Sequence, residues 1–365
     1  MEIRLNRGEF LTELNPMQGI VERKTTIPVL SHILLTARKD RLHLAATDLD
    51  VSLTSGCEAD VKEEGAIAVQ AKKFLEIIRA VMGDEVVLVQ EEPRVLSIRA
   101  GRSRFKVHGL AAEDFPSLPA VDEKRAVLIP FQNFRRMISK VLFAVSAEES
   151  RFQLNGALLK LKAGSLEMVA TDGHRLALVE DRLEASAEED SVLVPRKALQ
   201  ELQRIEGEGN LSYRRGEHHL SFQLGRRELI CRILEGTFPD YERVIAKDND
   251  KKILFDRKPL ADAVQRVALL TGDRARAVRL QFGSDQMVIS AANPDLGEAI
   301  EEVPCAYEGP EFRLGINPDY LSQFLSAVDT ERVRLELKDE NTQCVGWPVD
   351  GSDERYLCVI MPMRI

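Results

Sequence analysis

The sequence predicts an α+β protein of three similar domains, each holding two helices and roughly eight strands of antiparallel sheet. A recurring helix-like segment, a recurring short landmark and a β-rich remainder carry that prediction. The helix-like segment runs from Val69 to Val81, returns from Val194 to Leu202 and again from Ile316 to Leu325, with apolar residues at helical spacing. Aligning Val69, Val194 and Ile316 gives steps of 125 and 122 residues. The landmark Ala46-Thr47-Asp48, Ala170-Thr171-Asp172 and Ala291-Ala292-Asn293 keeps nearly the same register, with steps of 124 and 121.

Along the chain, each repeat begins with a further helix-like segment: Phe10 to Leu14, Phe134 to Val141, and Leu260 to Val267. The other segments are short and rich in Val, Ile and Leu, with turn residues between them. Val86 to Val89, Leu96 to Ile98, Leu158 to Leu161 and Val333 to Leu337 are examples, and they read as strands. Pro119 to Lys124 and Lys247 to Lys252 are charged or proline-containing and read as linkers. The expected domains are therefore 1–120, 126–246 and 247–365, the third copy being the most diverged.

With 44% hydrophobic and 30% charged residues, the chain belongs with globular proteins, not disordered or fibrous ones. No apolar run reaches the roughly 20 residues of a membrane helix. Glu2, Arg4 and Arg7 stand where a signal peptide needs an apolar stretch, so the expected location is cytoplasmic. The cysteines Cys57, Cys231, Cys305, Cys344 and Cys358 form no Cys-x-x-Cys pair and read as reduced thiols, with no metal or other cofactor implied. A net charge of −9 argues against gripping DNA by overall charge, yet allows a segregated basic face to meet phosphates.

Catalytic signatures are missing. The sequence has no phosphate-binding Gly-x-x-x-x-Gly-Lys loop, no dinucleotide Gly-x-Gly-x-x-Gly turn and no His-Glu-x-x-His helix. Asp172 and His174 are two residues apart, as in half of a triad or a metal pair, but neither reading has its remaining partners. His32, His43, His108, His218 and His219 show no ligand spacing with His174. An enzyme built on Asp172 and His174, and a partner-binding scaffold that never touches DNA, stay open as alternatives.

Basic residues recur on the predicted helices: Lys72, Lys73 and Arg79; Arg196, Lys197 and Arg204; Arg135, Arg136 and Lys140; Arg257, Lys258 and Arg266. Helices turned toward a common axis would give an acidic protein a basic lining. The C-terminus, Tyr356 to Ile365, is apolar where most chains fray. Met361 and Met363 around Pro362 suit a pocket for varied apolar side chains, whereas Val359 fits a last core strand equally well.

The sequence resembles the beta subunit of bacterial DNA polymerase III, the sliding clamp, over nearly its whole length. The motifs that carry the resemblance are Thr26 to Leu30, Ala46 to Leu49, Ser103 to Phe105 with Asp114 to Pro116, Leu154 to Gly156, Ala170 to Leu176, Val194 to Lys197, Phe238 to Tyr241 and Met361 to Arg364. The resemblance implies the DNA clamp fold, a head-to-tail dimeric ring with helices lining the hole. It implies a non-catalytic processivity factor of the polymerase III holoenzyme that encircles duplex DNA without reading its sequence.

By the same resemblance, a pocket for short peptides of polymerases, clamp loader and repair proteins comprises Leu154, Thr171, Gly173, His174, Arg175, Leu176, Pro239, Val244, Val359, Met361, Pro362 and Met363, with Arg364 at the rim. DNA contacts map to Lys24, Lys73, Arg151, Phe152, Gln153, Arg196, Lys197 and Arg243. Gln153 departs from the family pattern, which has an aromatic there. The dimer interface maps to Phe105 and Val107 against Leu269 and Leu270, with Arg102 and Arg104 opposite Glu298, Glu301 and Glu302.

Overall fold

The structure, a computed structural model, describes residues 1–22, 26–121, 126–148, 150–184, 188–272, 276–351 and 355–364. Lys24, the linker residues from 122 to 124 and Ile365 lie outside them.

Element order repeats three times. In the first repeat β1 (Glu2–Asn6) leads into α1 (Arg7–Ile20). There follow β2 (His32–Arg38), β3 (Arg41–Thr47), β4 (Val51–Glu58), β5 (Asp60–Glu63) and β6 (Gly65–Gln70), then α2 (Ala71–Ala80), β7 (Glu85–Glu92), β8 (Val95–Ala100) and β9 (Ser103–Ala111). The second repeat has β10 (Val127–Pro130), α3 (Phe131–Val141), β11 (Gly156–Lys162), β12 (Ser165–Thr171), β13 (Arg175–Arg182), β14 (Asp190–Pro195), α4 (Arg196–Arg204), β15 (Asn210–Arg215), β16 (His219–Leu224) and β17 (Arg227–Arg232). The third has β18 (Lys251–Asp256), α5 (Arg257–Ala268), β19 (Val278–Gly283), β20 (Gln286–Asn293), β21 (Gly297–Pro304), β22 (Phe312–Ile316), α6 (Pro318–Ala327), β23 (Arg332–Leu337), β24 (Cys344–Val349) and β25 (Arg355–Ile360). Among the described residues, β5 has no counterpart in the other two.

Each α-helix follows a strand directly or, for α6, after the single residue Asn317, and this moves the expected boundaries. Val69, Val194 and Ile316 are not helical. They lie in the last two residues of β6, β14 and β22, paired with Ile33, Ala157 and Val278, because a β-branched residue buried beside its cross-strand neighbour favours the sheet. The next residues turn the chain into the helix: Gln70 caps the Lys73 N–H at 2.7 Å and Asn317 caps the Asp319 N–H at 2.9 Å. Lys251 and Lys252, expected in a linker, sit in β18 opposite Leu337 and Glu336.

Each helix buries one stripe. Phe10, Leu14 and Met17 in α1 and Ala71, Phe74, Leu75 and Ile78 in α2 follow the helical period, and Phe10 meets Phe74 edge-on at 5.8 Å. In α5 and α6 the stripes are Leu260, Ala263, Val264 and Val267, and Leu321, Phe324 and Leu325.

Contacts divide the chain into two compact units, 1–132 with 197–233, and 133–196 with 234–365. The first holds a thirteen-stranded sheet, β10-β15-β16-β17-β4-β3-β2-β6-β9-β8-β7-β1-β5. The second holds an eight-stranded sheet, β14-β11-β12-β13-β25-β24-β23-β18, and a four-stranded one, β21-β20-β19-β22. One pairing rule recurs: β17 closes on β4 (Glu228↔Thr54 to Cys231↔Val51), and β25 closes on β13 (Arg175↔Ile360 to Glu180↔Arg355). The corresponding strands β9 and β21 keep open edges among the described residues. From Ser103 to His108, β9 pairs with β8 alone, and β21 pairs with β20 alone.

All five cysteines are buried and unbridged. Burial pushes the Cys57 and Cys305 thiols up to about 11 and Cys344 up to about 12, so none is a ready nucleophile.

Candidate functional site

The turn between β12 and β13 is built by its own side chains. Thr171 Oγ donates to the Arg175 carbonyl at 2.6 Å and accepts from the Gly173 N–H at 3.1 Å. Asp172 Oδ1 accepts from the N–H groups of His174 and Arg175 at 2.9 and 3.0 Å, while its Oδ2 takes Arg175 Nε at 3.0 Å. Gly173 has φ +88°, a conformation that calls for glycine. Asp172 is thus spent on shaping the turn. His174 is exposed and has no hydrogen bond to Asp172 through its ring.

Arg175 braces the turn. Its guanidinium lies 4.4 Å from the Tyr320 ring centre and 5.3 Å from that of Phe143, and it donates to Gln323 Oε1 and the Phe143 carbonyl. Only 9% of its side chain is exposed.

Next to the turn, β13 pairs with β25 so that Leu176 faces Val359. The chain then continues past β25. Met361 N–H donates to the His174 carbonyl at 2.9 Å, and Met363 N–H donates to Gly315 C=O at 2.8 Å. Two main-chain bonds hold the tail, leaving Met361, Pro362 and Met363 half-buried and Arg364 exposed.

The register places Leu193, Leu158, Val169, Leu178 and Leu357 directly opposite one another across β14, β11, β12, β13 and β25. With Leu176, Val345, Val359 and Tyr241 they form one apolar cluster, against which Leu234, Phe238, Val244, Ile245, Ala246 and Trp347 pack half-buried. Of the residues expected in a peptide pocket, Leu176, Val244 and Val359 belong to this cluster and Pro239 stands exposed beside Phe238. Leu154 is buried in the 3₁₀ turn Phe152–Leu154 and is not part of it. Sequence reasoning missed the aliphatic row and Phe238, Tyr241 and Trp347. The Phe238 to Tyr241 motif was in view, but only strand register shows that Leu158, Val169 and Leu178 share a face.

The basic candidates fall at helix starts and one loop. Lys73 is in the first turn of α2, and Arg196 and Lys197 open α4; neither first turn holds an acid. Lys73 pairs with Glu76 at 2.7 Å, Arg151 with Glu148 at 3.2 Å and Arg243 with Asp240 at 2.7 Å. Lys197 Nζ is taken by Asp48 and by the Ile20 carbonyl at the end of α1. The Arg196 N–H donates to Asn155 C=O at 2.9 Å, which brings Arg196 beside the Arg151 to Gln153 turn, where Phe152 is 69% exposed. Lys140, counted among the helix cations in the sequence, is buried and pairs with Asp329 at 3.4 Å.

On the open edges, Arg104 and Phe105 are exposed and Val107 half-buried on β9, and Arg102 is exposed in the preceding turn. Leu269 is exposed and Leu270 half-buried just after α5; Glu298 and Glu302 are exposed on β21, and Glu301 is held by Arg266 at 2.5 and 2.8 Å.

Three family models match in tandem: the N-terminal domain of the DNA polymerase III beta subunit over residues 1–119, its central domain over 128–240 and its C-terminal domain over 242–364. The beta sliding clamp of Pseudomonas aeruginosa is 37% identical, and that of Salmonella typhimurium 33%, with both chains fully covered in each case. Among crystal structures, the Pseudomonas aeruginosa clamp bound to griselimycin matches with a TM-score of 0.93 at 36% identity, and the Bartonella birtlesii clamp bound to griselimycin with 0.95 at 31%, again over 100% of each chain.

Proposed function

The chain belongs to the DNA polymerase III beta subunit family, and on that premise we propose that its partner-binding site is the apolar face of the eight-stranded sheet, bounded by the Thr171 to Arg175 turn, the 234–246 segment and the Met361 to Arg364 tail. The protein is a sliding clamp, a non-catalytic processivity factor that keeps DNA polymerase on its template. The observation that carries the site is the five-strand aliphatic row beside a tail pinned by main-chain bonds. Such a face gives a short peptide fixed walls and adaptable methionines, which suits several partners in turn. Griselimycin, the ligand of the two similar clamps, is a natural probe for it.

Gly173, His174, Leu176, Pro239, Val244, Val359, Met361, Pro362 and Met363 line this site, with Arg364 at its rim. Arg175, Thr171 and Leu154 shape it from behind. The clamp works in the cytoplasm as a homodimer, and the open β9 edge of one copy closes on the open β21 edge of another, repeating the rule by which β17 meets β4 and β25 meets β13. Phe105, Val107, Leu269 and Leu270 supply its apolar contacts, and Arg102 and Arg104 face Glu298, Glu301 and Glu302. The three repeats are its domains, 1–120, 126–246 and 247–365.

DNA is held without base readout by Lys24, Lys73, Arg151, Arg196, Lys197 and Arg243. Cations in helix first turns work against the helix dipole, and their recurrence in α2 and α4 makes sense if phosphates approach there. The exposed ring of Phe152 offers a stacking surface for unpaired bases beside Gln153. Tethering raises the effective concentration of polymerase at the primer end. The test is retention: the protein is loaded on a nicked circle with a clamp loader and ATP, and the circle is then linearised. Loss from linear DNA supports encirclement; equal retention on both forms refutes it.

A further inference from the structure

The 234–246 segment walls the apolar face through its apolar side chains and a main-chain bond at its start, from Leu234 N–H to Leu193 C=O at 3.2 Å, but few polar bonds hold the rest of it. Between Gly236 and Lys247 its one main-chain hydrogen bond is local, from Val244 N–H to Tyr241 C=O at 3.0 Å. Its polar tie to the sheet is the Tyr241 hydroxyl, which donates to Glu167 Oε1 at 2.5 Å and accepts from Lys160 Nζ at 2.8 Å. Lys160 also sits 4.7 Å from the centre of the Tyr241 ring. Glu167 is 2% exposed and takes a further bond from Lys162 at 2.8 Å, so this carboxylate is anchored in the sheet before Tyr241 reaches it.

The first repeat shows the same sheet without this arrangement. In register, Thr36 and His43 pair as Lys160 and Glu167 do, and no tyrosine joins them. There Phe115 and Leu118 pack on Leu34, Ala45 and Ala68 with no such polar tie, and a cleft of about 300 Å³ stays open beside them, lined by Leu34, Thr36, His43, Ala45 and Thr54 among others. Both repeats have apolar cover on this face, and the second adds the Lys-Glu-Tyr trio as a polar tie.

We propose that Lys160, Glu167 and Tyr241 form a latch that fixes the 234–246 segment as the wall of the partner site, making Tyr241 a positioning residue for partner binding. The proposal rests on the reading of this face as the partner site. The wall holds Phe238, Pro239 and Val244 at the position a bound peptide needs, so losing the latch makes binding require a reordering step. Losing one such hydrogen bond corresponds to about a tenfold change in affinity.

Full-length protein carrying Tyr241→Phe, Lys160→Met, both together, or Met361→Ala is tested for griselimycin binding by surface plasmon resonance and for amide hydrogen exchange over 236–247. Tyr241→Phe is expected to weaken binding about tenfold, chiefly through faster dissociation, and to speed exchange in that segment; the double variant is expected to be no worse than Tyr241→Phe alone. Wild-type affinity in Tyr241→Phe, or strictly additive losses in the double variant, overturns the latch. If Met361→Ala binds as wild type does, the site reading itself falls and the latch with it; weakened binding in Met361→Ala alone sinks only the latch.

Discussion

Two rows of side chains occupy the same register in the two units and differ in nearly every residue. In the second unit the row is Leu193, Leu158, Val169, Leu178 and Leu357; in the first it is Ala68, Leu34, Ala45, Thr54 and Glu228. The turns beside them match almost atom for atom. Thr47 Oγ and Asp48 Oδ1 take the N–H groups of Leu49, Asp50 and Val51 at 3.0, 3.0 and 2.6 Å, as Thr171 and Asp172 do for Gly173, His174 and Arg175. Even the strand that follows docks alike: Arg232 N–H bonds Asp50 C=O at 2.8 Å, as Met361 N–H bonds His174 C=O at 2.9 Å. The two repeats therefore share a backbone and differ in side-chain volume at five cross-strand positions, and the proposed partner site rests on that difference.

The hardest test of that contrast makes the second row resemble the first. Leu178→Thr removes buried aliphatic volume and adds a hydroxyl; it should cost about 3 kcal/mol in denaturant unfolding and lower griselimycin affinity by at least tenfold. Unchanged binding would detach the aliphatic row from function.

A smaller effect separates the turns. Asp172→Ala leaves a guanidinium that is 9% exposed without its carboxylate and should cost about 2 kcal/mol. Asp48→Ala should cost about half as much, because its partner Lys197 is 33% exposed. Equal losses in urea titrations would show that the two turns are energetically interchangeable.

Smaller still is the third residue of each turn. Leu49 takes φ +81°, where its counterpart is Gly173. Leu49→Gly should stabilise the protein by about 1 kcal/mol, read as a higher melting temperature, without changing partner binding.

The smallest concerns acid. Burial pushes the Glu180 carboxyl up, but hydrogen bonds from Ser165 and Lys162 outweigh it and hold the group below its ordinary value. A depressed carboxylate contributes stability above its unfolded pKa and loses it as pH falls through the folded one. Stability should therefore decline below about pH 4.5 by under about 1 kcal/mol from this group, and Glu180→Gln should flatten that part of the urea midpoint profile.

The sequence exposed the threefold organisation because helical spacing and the Ala-Thr-Asp landmark depend on neighbours along the chain. It placed five of the six helices to within three residues, reached only Phe10 to Leu14 of α1, and erred at Val69, Val194 and Ile316, where burial against a cross-strand partner overrides local pattern. The Thr171 to Leu176 motif and the apolar tail were visible as sequence. The aliphatic row was not, because it comes from five separate strands and exists only once register is set. Nor was the trio of Lys160, Glu167 and Tyr241, whose last member is 74 residues from its carboxylate partner.

The way β17 closes on β4 and β25 closes on β13 has a consequence for anyone who would dissect the chain. The first and second repeats each borrow a strand from the next, so a cut near 120 bares β4 and a cut near 246 bares β13. The polypeptide is stitched and not strung, and a fragment trimmed at repeat boundaries would present raw sheet edges that invite aggregation.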